Sequence, residues 1–179
     1  IFFNDQEAIE IYTHWTLGNI EREIPIIASA MDGVVDVHMA VELSKLGALG
    51  VLNLEGIQTR YADPGPVLDR IAAVGKTEFV PLMQELYAQP VQPGLIEKRI
   101  SDVKAQGGIA AVSLTPMGAA KYGKTVAEAQ ADLVFIQATV VSTNHLSPEA
   151  VVPLDLASFC TEMPMPVILG NCVTYDVTL

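Results

Sequence analysis

Short, unbroken apolar runs alternate along this chain with segments of helical period, and that alternation restricts the fold more than any other feature. Glu23 to Ala28 (E-I-P-I-I-A), Leu49 to Leu54 (L-G-V-L-N-L), Ile109 to Leu114, Leu133 to Thr139 (L-V-F-I-Q-A-T) and Pro166 to Gly170 (P-V-I-L-G) read as strands. Strands this apolar on both faces belong to a parallel sheet covered on both sides. Val37 to Leu46 has helical spacing, with Asp36 placed to cap its start and Gly47 to end it. Asp63-Pro64 opens a second helix with Val67, Leu68, Ile71 and Ala72 inward. Pro93 to Gln106 puts Leu95, Ile96, Ile100 and Val103 on one face, and Gly107-Gly108 ends it. Gly118 to Gln130 and Leu154 to Glu162 are the remaining helices, the latter capped by Asp155. Phe79 to Met83 reads equally as a strand or as part of an insertion, and residues 77–92 are a possible insertion between strands two and three.

Two α/β architectures satisfy this pattern: a barrel and an open doubly wound sheet. The doubly wound sheet calls for a Gly-rich phosphate turn after its first strand. Ser29-Ala30-Met31-Asp32-Gly33 is not G-x-G-x-x-G, which favours the barrel. A closed barrel needs eight strands. Five are found here, or six if Phe79 to Met83 counts, so the expectation is one domain, residues 1–179, forming an incomplete parallel (β/α)8 barrel.

Composition narrows the function classes. Half of the residues are apolar and 17% are charged, which is too apolar for disorder. The apolar runs fall far short of the roughly 20 residues of a membrane span, so none is expected. Ile1-Phe2-Phe3 followed by Asn4-Asp5-Gln6-Glu7 lacks the basic start and long apolar stretch of a signal peptide, and reads as a chain trimmed at its start. A formal charge of −11 argues against nucleic acid as a partner, although a local pocket for one phosphate is compatible with it. Cys160 and Cys172 have neither metal spacing nor a disulfide framework, and a reducing cytoplasmic setting is the expectation.

Barrel active sites stand at the C-terminal ends of strands. Those positions hold Ser29-Ala30-Met31-Asp32, Asn53-Leu54-Glu55-Gly56, Thr115-Pro116, Gln137-Ala138-Thr139 and Gly170-Asn171-Cys172-Val173-Thr174. Small amide- and hydroxyl-bearing groups suit a ribose, a purine edge or a phosphate. They do not supply the carboxylate pair of a hydrolase or a zinc ligand set. Each also has a structural reading. Ser29, Thr139 and Thr174 serve as helix caps or turn residues, Asp32 as a turn residue, and Met31 as core. Asn53 and Gln137 resist that reading, because Asn is depleted in strands and a buried amide needs partners. His14, His38 and His145 are scattered and read as surface or hydrogen-bond-satisfied residues. Cys160 reads as core on an amphipathic helix. Cys172 stands near a helix start, which lowers a thiol pKa, but no base is placed beside it. The aromatics of Tyr61-Ala62-Asp63-Pro64 and Leu86-Tyr87-Ala88-Gln89-Pro90 pack either an insertion or a subunit contact.

At these strand ends the sequence resembles the IMP dehydrogenase/GMP reductase family. Ile24-Pro25-Ile26-Ile27-Ala28-Ser29-Ala30-Met31-Asp32-Gly33-Val34-Val35-Asp36 is similar to that family's P-x-x-x-S-P-M-D-x-V-x-[ED] segment. Leu46 to Asn53 is similar to its first helix end and second strand, and Pro166 to Thr174 to its V-I-x-G-N-V-V-T strand. Val51 to Gly56, Thr59-Arg60-Tyr61 and Met83 to Ala88 resemble the IMP dehydrogenase-related subgroup. The resemblance implies a barrel, a homo-oligomer when full length, and NAD-dependent oxidation of IMP to XMP within GMP biosynthesis, through a cysteine-linked intermediate. By position, Ser29, Met31, Asn53 and Asn171 would meet the purine nucleotide. Gln137, Thr139, Gly170 and Thr174 would face NAD. Gln137 stands where the main enzymes have Asp, and Ala30 replaces their Pro. The catalytic cysteine belongs to a loop after the sixth strand, so no catalytic residue and no metal ligand is assigned here, and this stretch alone is expected to be inactive. Two other readings compete: part of a flavin-dependent barrel of the nitronate monooxygenase type, and a non-catalytic truncated product. The Met31-Asp32 pair and the G-N-x-V-T end favour the first reading over the flavin enzyme.

Overall fold

A computed structural model describes residues 15–137 and 154–171. A two-stranded antiparallel hairpin comes first, β1 (Trp15–Leu17) and β2 (Ile20–Arg22), joined by the two-residue turn Gly18-Asn19. Five parallel strands follow: β3 (Ile27–Ala28), β4 (Leu49–Asn53), β5 (Ala111–Leu114), β6 (Leu133–Gln137) and β7 (Val167–Gly170). Their order in the sheet is their order in the chain. A doubly wound sheet reverses direction at a switch point. This sheet has no reversal, and with a helical layer on one face only it is an incomplete (β/α)8 barrel.

That layer is made by α1 (Val37–Lys45), α4 (Pro93–Ala105), α5 (Pro116–Glu128) and α6 (Leu156–Glu162). Between β4 and α4 stand two more helices, α2 (Gly65–Ala73) and α3 (Phe79–Tyr87). The expected caps are in place. Asp36 accepts a hydrogen bond from the Met39 N–H at 2.7 Å, and Asp155 accepts from the N–H groups of Ala157 and Ser158. Gly47, just past α1, takes φ 84°, the left-handed conformation that ends helices.

Strand alternation sorts the side chains into two cores. Leu52, Leu54, Val112, Leu114, Val134 and Ile136 point outward, where Ala40, Val41, Ile96, Ile100, Val103 and Val126 of the helices cover them. Leu49, Val51, Ala111 and Leu133 point inward, and Trp15, Leu17 and Ile20 of the hairpin pack against them. The hairpin therefore plugs the end of the half-barrel where the strands begin. Sequence reading left it out, although Gly-Asn between two short alternating runs is a hairpin signal.

Two readings need correction. Phe79 to Met83 is not a strand but the first part of α3. Pro81 is tolerated because it falls in the first helical turn, where its missing N–H has no intrahelical partner to lose. Cys160 is exposed, not core. Its neighbour Phe159 takes the buried position on α6, packed against Gly123, and the next residue of a helix is turned away from that face. The first strand is also shorter than its apolar run: only Ile27 and Ala28 pair with β4.

Candidate active site at the strand ends

Register places the polar positions on one rim. Asn53, Ser113, Phe135 and Ile168 lie side by side across β4 to β7, and Gln137 pairs with Gly170 one step higher. All belong to the inward-facing set, above the apolar layer of Val51, Ala111 and Leu133. Sequence reading had not singled out Ser113, which is buried beside Asn53. Its period-two position within A-V-S-L was the available signal.

Ser29 and Met31 follow β3. Both are exposed, Met31 at 58%, which removes it from the core. The Ser29 carbonyl accepts from Met31 N–H at 2.8 Å, and the Met31 carbonyl accepts from the N–H groups of Val34 and Val35. This is a tight turn leading into α1. Asn53 caps the next turn by accepting from the Glu55 N–H at 3.0 Å. Phe135, Gln137, Ile168, Leu169, Gly170 and Asn171 line a cavity of about 500 Å³ at the open end of β6 and β7. Gln137 and Asn171 are exposed at its mouth. Thr139, Cys172 and Thr174, with His14 and His145, lie outside the described residues. The structure thus brings Asn53, Gln137, Gly170 and Asn171 to one rim, with Ser29 and Met31 at the end of the neighbouring strand.

Two carboxylates tie the rim loops together. Asp32 Oδ2 accepts from the Ile57 N–H at 2.8 Å and the Tyr87 hydroxyl at 2.7 Å, which joins the first loop to the second and to α3. Gly56 makes the approach possible: a Cβ there would sit 2.0 Å from Asp32 Oδ1. Glu55 accepts from both the backbone N–H and the hydroxyl of Thr115, the latter at 3.0 Å, joining the second loop to the start of α5. A carboxylate is favoured there by the unpaired N–H groups and dipole of a helix N-terminus. Burial of its hydroxyl, then the hydrogen bond to Asp32, holds the Tyr87 phenol well above the usual tyrosine range. These partners are 25 to 60 residues apart in the chain, beyond what spacing reveals.

Two arginines hold the loop after β4 by its carbonyls. Arg99 is buried and donates to Gln58, Tyr61 and Ala62 oxygens at 2.8–3.1 Å. Arg60 donates to the carbonyls of Glu55, Tyr87 and Gln89 and lies 5.1 Å from the Tyr87 ring centroid. Tyr61 donates to the Leu86 carbonyl at 3.1 Å. Tyr61 thus packs against α3, and Leu86 and Tyr87 belong to that helix rather than to a loop. The larger cleft, about 670 Å³, is at the opposite end, between Asn19, Lys104, Gln130, Asp132 and Met165. Lys104 is committed there to Asp132 and the Gln130 carbonyl. Among the described residues, no helix is long and apolar enough to cross a membrane, and no three His, Cys, Asp or Glu side chains gather as a metal site.

Comparison with known proteins gives this geometry a context. A family model described as the IMP dehydrogenase / GMP reductase domain matches residues 4–178. A Mycolicibacterium smegmatis protein named only as an oxidoreductase is 32% identical over 175 residues, covering 95% of this chain and 46% of its own length. A Mycobacterium leprae protein of the same designation is 31% identical over the same span. The crystal structure of an IMP dehydrogenase/GMP reductase-like protein from Corynebacterium glutamicum superposes with a TM-score of 0.83 at 28% identity, over 93% of this chain and 44% of that one. The chain spans about half the length of the relatives it matches.

Proposed function

Because the chain belongs to the IMP dehydrogenase/GMP reductase family, we propose that it supplies the nucleotide-facing rim of a purine-nucleotide oxidoreductase. In the full-length protein the reaction is NAD-dependent oxidation of IMP to XMP, by way of a cysteine-linked intermediate. The observation that carries this reading is the inward polar row above an apolar floor: Asn53 and Ser113 level with each other, Gln137 and Gly170 above them, and Asn171 next in the chain. Amides and hydroxyls at a barrel rim bind a flat, neutral, hydrogen-bonding ring better than they bind a charged or purely apolar one.

In this reading Ser29, Met31, Asn53 and Asn171 contact the nucleotide. The turn at Ser29-Met31 is positioned for this by its own backbone hydrogen bonds and by Asp32. The residues at the open end of β6 and β7 suit a nicotinamide. The cavity there has apolar walls from Phe135, Ile168 and Leu169, and the Gln137 and Asn171 side chains each offer the donor and acceptor that a carboxamide requires. Gln137 and Gly170 would hold the dinucleotide, together with Thr139 and Thr174. When bound, NAD supplies the hydride acceptor. This chain's residues bind and orient the two reactants, and none of them is assigned as the attacking thiolate. Cytoplasmic location and homo-oligomeric assembly belong to the same proposal.

The test is to measure NADH formation from IMP and NAD by the full-length protein, beside NADPH consumption with GMP. The reading expects the first activity and its loss in Asn171→Ala. NADPH consumption with GMP alone would reverse the direction of the reaction, and a bound flavin would overturn the assignment.

A further inference from the structure

Helix α3 contributes nothing to the two cores of the barrel. Its buried residues Leu82 and Leu86 instead join Ile57 and the part-buried Tyr61 in a separate small cluster on the rim. An element that the barrel's own packing does not require is placed against the loops that the proposed substrate would meet. We infer that α3 braces the substrate rim, with Tyr87 acting through Asp32 as a positioning residue for the turn that carries Ser29 and Met31. This inference rests on the reading that this turn contacts the nucleotide.

Asp32 is bonded from two directions at one oxygen, by the Tyr87 hydroxyl at 2.7 Å and the Ile57 N–H at 2.8 Å. Its other oxygen is sealed from solvent without a partner, against the backbone of Gly56. The carboxylate cannot turn away without disturbing Gly56 or the turn behind it. A sealed, unpartnered carboxylate oxygen is costly, and such costs persist where geometry has a function. Met31 is the residue directly before Asp32, so holding the carboxylate fixes the turn at its far end. Its near end is fixed by β3.

Tyr87 is itself held in place. Arg60 lies over its ring and donates to its carbonyl at 3.0 Å, while also donating to the Glu55 carbonyl. Tyr61 fastens the neighbouring Leu86 carbonyl. The brace therefore has a fixed base on the second loop and reaches the first through its phenolic hydroxyl.

Tyr87→Phe in the full-length protein removes that hydroxyl and leaves the ring beneath Arg60. Hydrogen exchange at the Ile57 amide and at residues 31–35 is expected to rise about tenfold, with β5 and β6 unchanged. In turnover, KM for IMP rises by about five- to tenfold, while kcat and KM for NAD stay within about twofold. Asp32→Asn should loosen the same amides, and the double variant should not exceed Asp32→Asn alone, since that change already reaches both bonds to Asp32. Unchanged exchange at residues 31–35 in both single variants would overturn the brace, and so would a fall in kcat with KM for IMP unaltered. Failure of the functional reading looks different: the wild-type protein would not bind IMP in a calorimetric titration, while the exchange response to Tyr87→Phe would persist.

Discussion

At the end where the strands begin, Leu49, Val51, Ala111 and Leu133 meet Trp15, Leu17 and Ile20 of the hairpin. At the end where they finish, the same inward rows present Asn53, Ser113 and Gln137. One end is filled by its own side chains. The other is left open and polar, and its loops are held by Asp32 and Glu55 and by Arg60 and Arg99 beside a small apolar cluster of Ile57, Tyr61, Leu82 and Leu86. The strands are continuous through both, so the change lies in residue type at fixed parity, not in backbone. Stability is thus concentrated in the floor, the helix-facing core and the buried arginine, while the proposed recognition falls to side chains whose removal should cost the fold little. The expected outcomes below separate those two kinds of residue.

Leu133→Ala should show the largest effect. Leu133 is fully buried in the floor, and such truncations cost about 2–5 kcal/mol, read by chemical denaturation. IMP affinity of the folded protein should stay within about twofold. A large loss of affinity here would erase the distinction between the ends. Arg99→Met comes next. It leaves three carbonyls near or in the interior without their charged donor, a loss of about 1–3 kcal/mol by the same measurement. Limited proteolysis should then cut within residues 58–62 first. Asp36→Ala removes only the cap of α1 and should cost about 1 kcal/mol, with nucleotide affinity unaffected.

The smallest effect is a pH dependence. Tyr87 titrates above its unfolded value, so its neutral form is the one the fold favours. That contribution is fully present below about pH 10, the unfolded tyrosine pKa, and is lost as pH rises toward the folded value. The stability difference between wild type and Tyr87→Phe should therefore shrink as pH rises above about 10. A difference that stays constant well above that pH would assign the link to another group.

Much of the barrel could be read from the chain alone, because strands buried on both faces leave continuous apolar runs and helices leave caps. Asp36 and Asp155 are where spacing put them. The rim positions Asn53, Gln137 and Asn171 were legible for a related reason: a polar residue ending an apolar strand has few places to go. What failed was local ambiguity. The run from Phe79 to Met83 is too short for period alone to separate strand from helix, and the choice between adjacent Phe159 and Cys160 depended on which one Gly123 leaves room for. The ties of Asp32 to Tyr87 and of Glu55 to Thr115 cross 55 and 60 residues, and neither period nor motif encodes a contact of that kind.

The central claim is that polar residues at the strand ends, and not the floor beneath them, bind a purine nucleotide. Calorimetric titration of IMP into full-length wild type, Ser29→Ala, Asn171→Ala and Leu133→Ala tests it most directly. Binding weakened about tenfold by each rim substitution and kept by the floor substitution is the predicted result. Affinity indifferent to Ser29 and Asn171, or no binding by the wild-type protein, would contradict it.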